Sequence, residues 1–150
     1  MKKRTIIYLL SMLTSVIVVT SACKKKDEKI GTPVLTFKAL SSNDLLEFSD
    51  SLNVTFSYED SDGDIGFYDA DSSSVYIQDK RLSKPDLYYI KPLNPPNVQP
   101  FIKGDIQLGL KNMFMLGSGT TEKTSFTIWL KDRKGHISNS IVTPEITIHR

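Results

Sequence analysis

Leu52-Asn53-Val54-Thr55-Phe56-Ser57-Tyr58 alternates apolar or aromatic side chains with polar ones, without a break. Successive side chains of a β-strand point to opposite faces, so this alternation sets one face on a core and the other toward water. Val54, Thr55, Phe56 and Tyr58 are β-branched or aromatic, the types that suit a pleated, half-buried surface. The same parity recurs along the chain. Ile102, Ile106, Leu108 and Leu110 share one face, and Lys103, Asp105, Gln107 and Lys111 the other, with Gly104 and Gly109 read as bulges or weak points. Phe126, Ile128 and Leu130 alternate with Thr127, Trp129 and Lys131, and Ile146 and Ile148 alternate with Thr147 and His149. Shorter candidates lie at 34–37, 74–78 and 87–90. Between them stand turn-forming groups: Asp62-Gly63, Pro92-Leu93-Asn94-Pro95-Pro96, Gly117-Ser118-Gly119 and Lys134-Gly135. The nearest thing to a helical stretch, 108–116, lacks polar patterning. About seven short strands over this length predict an all-β fold, an antiparallel β-sandwich of immunoglobulin-like type, with a small closed barrel as the alternative.

Outward from this core, the N-terminus has a different character. Met1-Lys2-Lys3-Arg4 is basic, 5–20 is almost wholly apolar or small, and Ser21-Ala22-Cys23 precedes the charged run Lys24-Lys25-Lys26-Asp27-Glu28-Lys29. A basic start, an apolar stretch and small residues before a cut describe a secretory signal peptide. The apolar stretch falls short of the roughly 20 residues that span a bilayer, and an uncleaved anchor is the alternative. Cys23 is the only cysteine, so no internal disulfide can form, and a lone thiol in an exported chain needs another use.

Thr20-Ser21-Ala22-Cys23 resembles the lipobox of bacterial lipoproteins, with Thr20 where Leu or Val is usual. The resemblance implies cleavage before Cys23 and lipidation of its thiol. Two or more acyl chains hold a protein firmly to a membrane where one does not. The expected organisation is a signal peptide at 1–22, a lipidated, charged tether at 23–33 and the β-sandwich domain at 34–150. The run 24–29 resembles the export signal of Bacteroidetes lipoproteins displayed on the outer membrane, although its four lysines outnumber Asp27 and Glu28. The formal charge of +2 rests on 19 basic and 17 acidic residues. Lys2, Lys3 and Arg4 leave with the signal peptide, and from Ile30 onward 12 basic residues face 15 acidic ones. A slightly acidic body argues against a nucleic-acid partner, which needs a basic patch.

The stretch Glu59-Asp60-Ser61-Asp62-Gly63-Asp64-Ile65-Gly66-Phe67-Tyr68-Asp69-Ala70-Asp71 holds six carboxylates in 13 residues. Such a density repels itself unless it is solvated or shares a cation. Calcium takes about six to eight oxygen ligands, and Asp60, Asp62 and Asp64, with Asp69 or Asp71, are the candidate ligands. An EF-hand is excluded because Ile65 stands at its glycine position, Asp71 at its final glutamate, and no helix flanks the loop. The other reading is a solvated turn in which Asp side chains bond nearby backbone and Gly63, with Gly66 as a second candidate, supplies a positive φ. No cofactor besides calcium is expected.

Phe56, Tyr58, Asp60, Asp62, Gly63, Asp64, Ile65 and Gly66 form a Phe-x-Tyr-x-Asp-x-Asp-Gly-Asp-Ile-Gly phrase. With Phe126-Thr127-Ile128-Trp129-Leu130-Lys131-Asp132-Arg133-Lys134-Gly135-His136-Ile137-Ser138-Asn139, it resembles small Bacteroidetes lipoproteins with cadherin-like or immunoglobulin-like sandwiches. In that resemblance 126–139 is the F-strand and its turn, and 140–148 completes strand G. The family carries no functional residues across.

Catalytic signatures are weak. His136 and His149 have no third zinc ligand to join them. No serine sits in a nucleophile elbow, and no glycine-rich loop precedes a Lys-Ser or Lys-Thr pair. The expectation is a non-catalytic, membrane-anchored binding or structural module of the outer membrane or cell surface, reaching the membrane through Cys23 and meeting an envelope protein or a glycan. The alternatives are an accessory subunit of a surface nutrient-uptake complex, a calcium-stabilised spacer and a small hydrolase. Trp129 packs on the sheet or faces a ligand, and Tyr88 and Tyr89 beside the proline-rich loop are further ligand-facing candidates.

Overall fold

The alternation carried by 52–58 becomes the central strand of a three-stranded sheet, and its apolar face becomes the floor of the core. The computed structural model describes residues 31–150 apart from 96, 97 and 99. The expected signal peptide, Cys23 and most of the tether lie outside the described residues. Ten strands follow in order: β1 (Val34–Leu40), β2 (Asp44–Leu46), β3 (Leu52–Asp60), β4 (Val75–Asp79), β5 (Asp86–Tyr88), β6 (Ile102–Leu110), β7 (Thr121–Thr124), β8 (Phe126–Leu130), β9 (Ile141–Val142) and β10 (Ile146–His149). They form three sheets ordered β1-β3-β6, β2-β10-β7 and β5-β4-β8-β9. All pairings are antiparallel except β2 with β10. The domain is all-β and sandwich-like. Among the described residues no helix is long and apolar enough to cross a membrane.

The core takes the parity the sequence prescribes. Leu52, Val54 and Phe56 of β3 are wholly buried and join Val75 and Ile77 of β4, Ile128 and Leu130 of β8, and Ile146 and Ile148 of β10 in one cluster. Burying each such side chain contributes about 1.5–3 kcal/mol. The polar neighbours Asn53, Thr55, Thr127 and Thr147 stay partly exposed on the other faces.

Two expectations need correction. Gly104 and Gly109 are not bulges: β3 and β6 pair without a shift from Leu52↔Leu110 to Asp60↔Ile102. Gly104 instead makes room for an aromatic ring, since a Cβ there would stand 2.9 Å from the Tyr58 hydroxyl. The bulge of this sheet lies in β1, between Phe37 and Ala39. The expected strand over 140–148 is two strands in two sheets. Pro144 has no N–H to give a ladder, and the chain bends there between β9 and β10 as its partner bends between β7 and β8. Thr143 bridges the bend, its N–H donating to the Phe126 carbonyl at 2.9 Å and its hydroxyl accepting from the Phe126 N–H at 2.9 Å. One ribbon therefore runs through both sheets. The stretch 108–116, whose lack of polar patterning argued against a helix, is a strand end followed by a loop. Glu47 accepts the Met115 N–H at 2.8 Å, and Glu122 accepts those of Leu116 and Gly117 at 2.8 and 3.1 Å, so carboxylates replace the bonds a helix would supply.

Two polar devices lock the layers. The Asn139 amide behaves as a piece of strand, accepting from the Leu35 N–H at 2.8 Å and donating to its carbonyl at 2.9 Å. This couples β1 to the segment between β8 and β9. Asp79, at the inward end of β4, is 6% exposed and is gripped by Arg81, with Nη2–Oδ2 at 2.6 Å and Nε–Oδ1 at 3.0 Å. Arg81 also reaches Glu122 at 3.0 Å. Burial pushes the Asp79 carboxyl up, but hydrogen bonds from Arg81 and Thr124 outweigh it and hold the group below its ordinary value.

A depressed carboxyl stabilises the fold above its unfolded pKa and loses that contribution as pH falls through its folded pKa. The contribution of Asp79 to stability in urea should therefore hold down to about pH 4 and decline below it, read as the difference between the parent and Asp79→Asn across that range. Arg81→Met, which strands a buried carboxylate, should cost about 3–5 kcal/mol at neutral pH. A variant as stable as the parent would refute this role.

Candidate functional site

The inward parity of β3 continues one step past its apolar residues, and Asp60 arrives at core depth, 1% exposed. The chain then doubles back. Asp64 donates its N–H to Asp60 Oδ2 at 2.9 Å and is itself 1% exposed. Two glycines make this loop feasible. Gly63 (φ 65°) and Gly66 (φ 88°) are left-handed, and added Cβ atoms would lie 2.2 Å from the Pro100 carbonyl oxygen and 2.3 Å from that of Lys91. Ile65 between them is wholly buried and anchors the loop.

The turn between β8 and β9 packs on this loop from about seventy residues away in sequence. Arg133 donates its N–H to the Asp64 carbonyl at 3.2 Å and its guanidinium to the Gly66 carbonyl at 2.7 Å. Lys134 pairs with Asp62 Oδ2 and stands 3.7 Å from Asp64 Oδ2. Asp132 is fully buried, and both its oxygens are taken by His136, through its N–H and its Nδ1, each at 2.8 Å.

Asp60, Asp62 and Asp64 each offer an oxygen within 4.8 Å of the others. Four oxygens of this trio are buried without a hydrogen-bond partner among the described residues: Asp60 Oδ1, Asp62 Oδ1 and both of Asp64. Each buried acceptor left unpaired costs about 1–3 kcal/mol, and more when charged. The titration behaviour carries the same mark. Burial first, then the close approach of the Asp62 carboxyl, pushes Asp60 up to about 6. Burial and the charges of Asp132 and Asp62 push Asp64 up. Asp62 also feels burial, but Lys134 outweighs it and holds this carboxyl low.

This donor set fits a hard cation. It is all carboxylate oxygen, with no soft ligand, and its spread lies inside a calcium coordination sphere, which is about 5 Å across. Asp60, Asp62 and Asp64 would hold the ion, with backbone carbonyls and water completing it.

The other expected ligands are elsewhere. Asp69 and Asp71 are exposed on a separate turn, where Asp69 accepts the Asp71 N–H at 3.0 Å. The Asp69 carboxylate does there the backbone-bonding work that the turn reading assigned to the whole stretch. The aromatic candidates do not form one surface. Trp129 stacks on Tyr76, its β4 neighbour, with centroids 5.5 Å apart and planes 10° from parallel, so one face of each ring covers the other. Tyr88 pairs with Val75 on the opposite face of that sheet and packs against the core. Tyr89 is half-buried. Asp132, Lys134 and His136 are the site residues that the sequence did not reveal. The Asp132-to-Gly135 turn was visible, but its landing place was not. No family model, curated protein or solved structure matches the chain.

The loop's geometry generates a direct test. Gly63→Ala and Gly66→Ala should each lower unfolding stability by on the order of 3 kcal/mol, because φ and the facing carbonyl both forbid a side chain. Gly135→Ala, where φ is also positive but nothing lies within 4 Å, should cost less. Equal losses at all three positions in urea denaturation would contradict the close approaches.

Proposed function

We propose that this chain is a lipid-anchored, non-catalytic module of the cell envelope, and that its immunoglobulin-like sandwich carries a structural calcium ion at Asp60, Asp62 and Asp64. The observation that carries the calcium reading is the set of four buried carboxylate oxygens with no hydrogen-bond partner among the described residues. A divalent ion satisfies all of them at once, whereas a proton on Asp60, whose carboxyl burial pushes up to about 6, would still leave both oxygens of Asp64 without a hydrogen bond. The anchoring reading rests on Cys23 and the residues around it, and places the module at the outer membrane with the sandwich held off the lipid by the tether. The outer face of the β5-β4-β8-β9 sheet carries Leu87, Tyr76 and Trp129 in one cross-strand row, with exposed Val142 opposite Thr127 in the next. This apolar row supports an envelope protein, rather than a glycan, as partner.

Calorimetric titration of the folded chain with calcium should give a saturable heat at one site. At a hundredfold excess over Kd the ion should stabilise the fold by about 2.7 kcal/mol, read as a rise in Tm of several degrees. Asp64→Asn should abolish the heat. Lys134→Gln, which removes the ammonium that shares Asp62, should tighten binding by roughly three- to tenfold. A flat titration with an unmoved Tm would end the calcium reading. Cys23→Ala should move the chain from the membrane fraction of its native cells to the soluble one, and continued membrane association would end the lipid-anchor reading.

A further inference from the structure

The chain enters the fold on top of the carboxylate cluster. Gly31 is buried and left-handed, with φ 84°. Its N–H donates to Ser61 Oγ at 2.8 Å, and its carbonyl, at 2.9 Å, shares the single Nδ1–H of His136 with Asp132. A Cβ on Gly31 would stand 2.6 Å from Asp62 Oδ2, so the backbone lies flat against a candidate ligand. Pro33, two residues on, is also buried before β1 begins. The two groups that grip Gly31 belong to the two segments that build the cluster. Ser61 sits between Asp60 and Asp62, and His136 is held by Asp132.

We infer that the cation site is a clasp, in which an ion bound by Asp60, Asp62 and Asp64 fastens the incoming N-terminal segment to the domain at Gly31. The inference rests on the calcium reading above and adds what the ion controls. With the ion in place, Asp60 and Asp62 are fixed, and so is the Ser61 hydroxyl between them. Without it, the unpaired carboxylates repel one another, the 60–64 loop loosens, and Gly31 loses its seat. The segment that leads to Cys23 would then be joined to the body by a free joint instead of a fixed one, which changes the reach and orientation of the module.

Such a coupling is reciprocal. If the ion favours the seated state by some factor, disabling the seat must weaken ion binding by the same factor. Gly31→Ala removes the seat through its Cβ, and Ser61→Ala removes one of its two hydrogen bonds without touching a carboxylate. The experiment measures amide exchange of Gly31 in the full chain with and without calcium, alongside calcium calorimetry of the parent and both variants. Calcium should slow exchange at Gly31 by about tenfold, within the usual range of such couplings. Ser41, whose N–H bonds Asn53 at the far end of the β1-β3 pair, should be little changed. Gly31→Ala should weaken calcium by the same factor, and Ser61→Ala by a smaller one. Calcium heat with unchanged Gly31 exchange and unchanged affinity in both variants would overturn the clasp and leave the metal site standing. Absence of heat in the parent would overturn both.

Discussion

Period-two alternation along β3 builds the core, and it is also what carries Asp60 into it. Leu52, Val54 and Phe56 stack inward on the same parity as Asp60. The strand cannot bury the first three without aiming the last at the interior. A carboxylate in that position must be neutralised, hydrogen-bonded or paired with a cation. The loop that follows meets one part of this demand, since Asp64 returns its N–H to Asp60. It also enlarges the problem, because Asp64 brings two more unpartnered oxygens to the same place. The arrangement makes physical sense as a site that something positive completes.

Around that constraint, the rest of the fold acts as support. The loop is held by backbone close approaches at Gly63 and Gly66, with Ile65 as its apolar anchor. The turn from Asp132 to His136 closes over it with one lysine, one arginine and one histidine. Lys134 gives the cluster a partial counter-charge from a long, half-exposed side chain, which can leave without disturbing the backbone. The buried Asp79 solves the same problem differently, because both its oxygens are filled by Arg81, with Thr124 beside it. The contrast between a satisfied buried carboxylate and an unsatisfied trio in one small domain singles out the trio.

Much of the fold was legible because its signal is local. Alternation over 52–58 and 126–130 needs no knowledge of topology, and both stretches are strands with the expected faces inward. The errors arose where a neighbour decides the outcome. Gly104 reads as a weak point until Tyr58 is known to lie over it. The run 140–148 reads as one strand until Pro144 is seen at a crossing between sheets. β2 and β7 are short and hardly alternate, and their pairing with β10 defines them as strands. The site shows the same division. Asp60, Asp62 and Asp64 could be picked out from spacing along a single loop. The two outer aspartates, Asp69 and Asp71, could not be separated from them, because only the turn they form takes them elsewhere. Asp132, Lys134, His136 and Gly31 reach the cluster through long-range packing, for which a single sequence carries no sign.

The central claim is that the orphaned oxygens of Asp60, Asp62 and Asp64 are ligands. A crystal structure of the chain grown in calcium addresses it most directly. The account predicts an anomalous peak bonded to all three carboxylates at about 2.3–2.6 Å, with the Lys134 ammonium displaced from Asp62. An ordered loop with no peak between those oxygens, and with Lys134 still on Asp62, would contradict it.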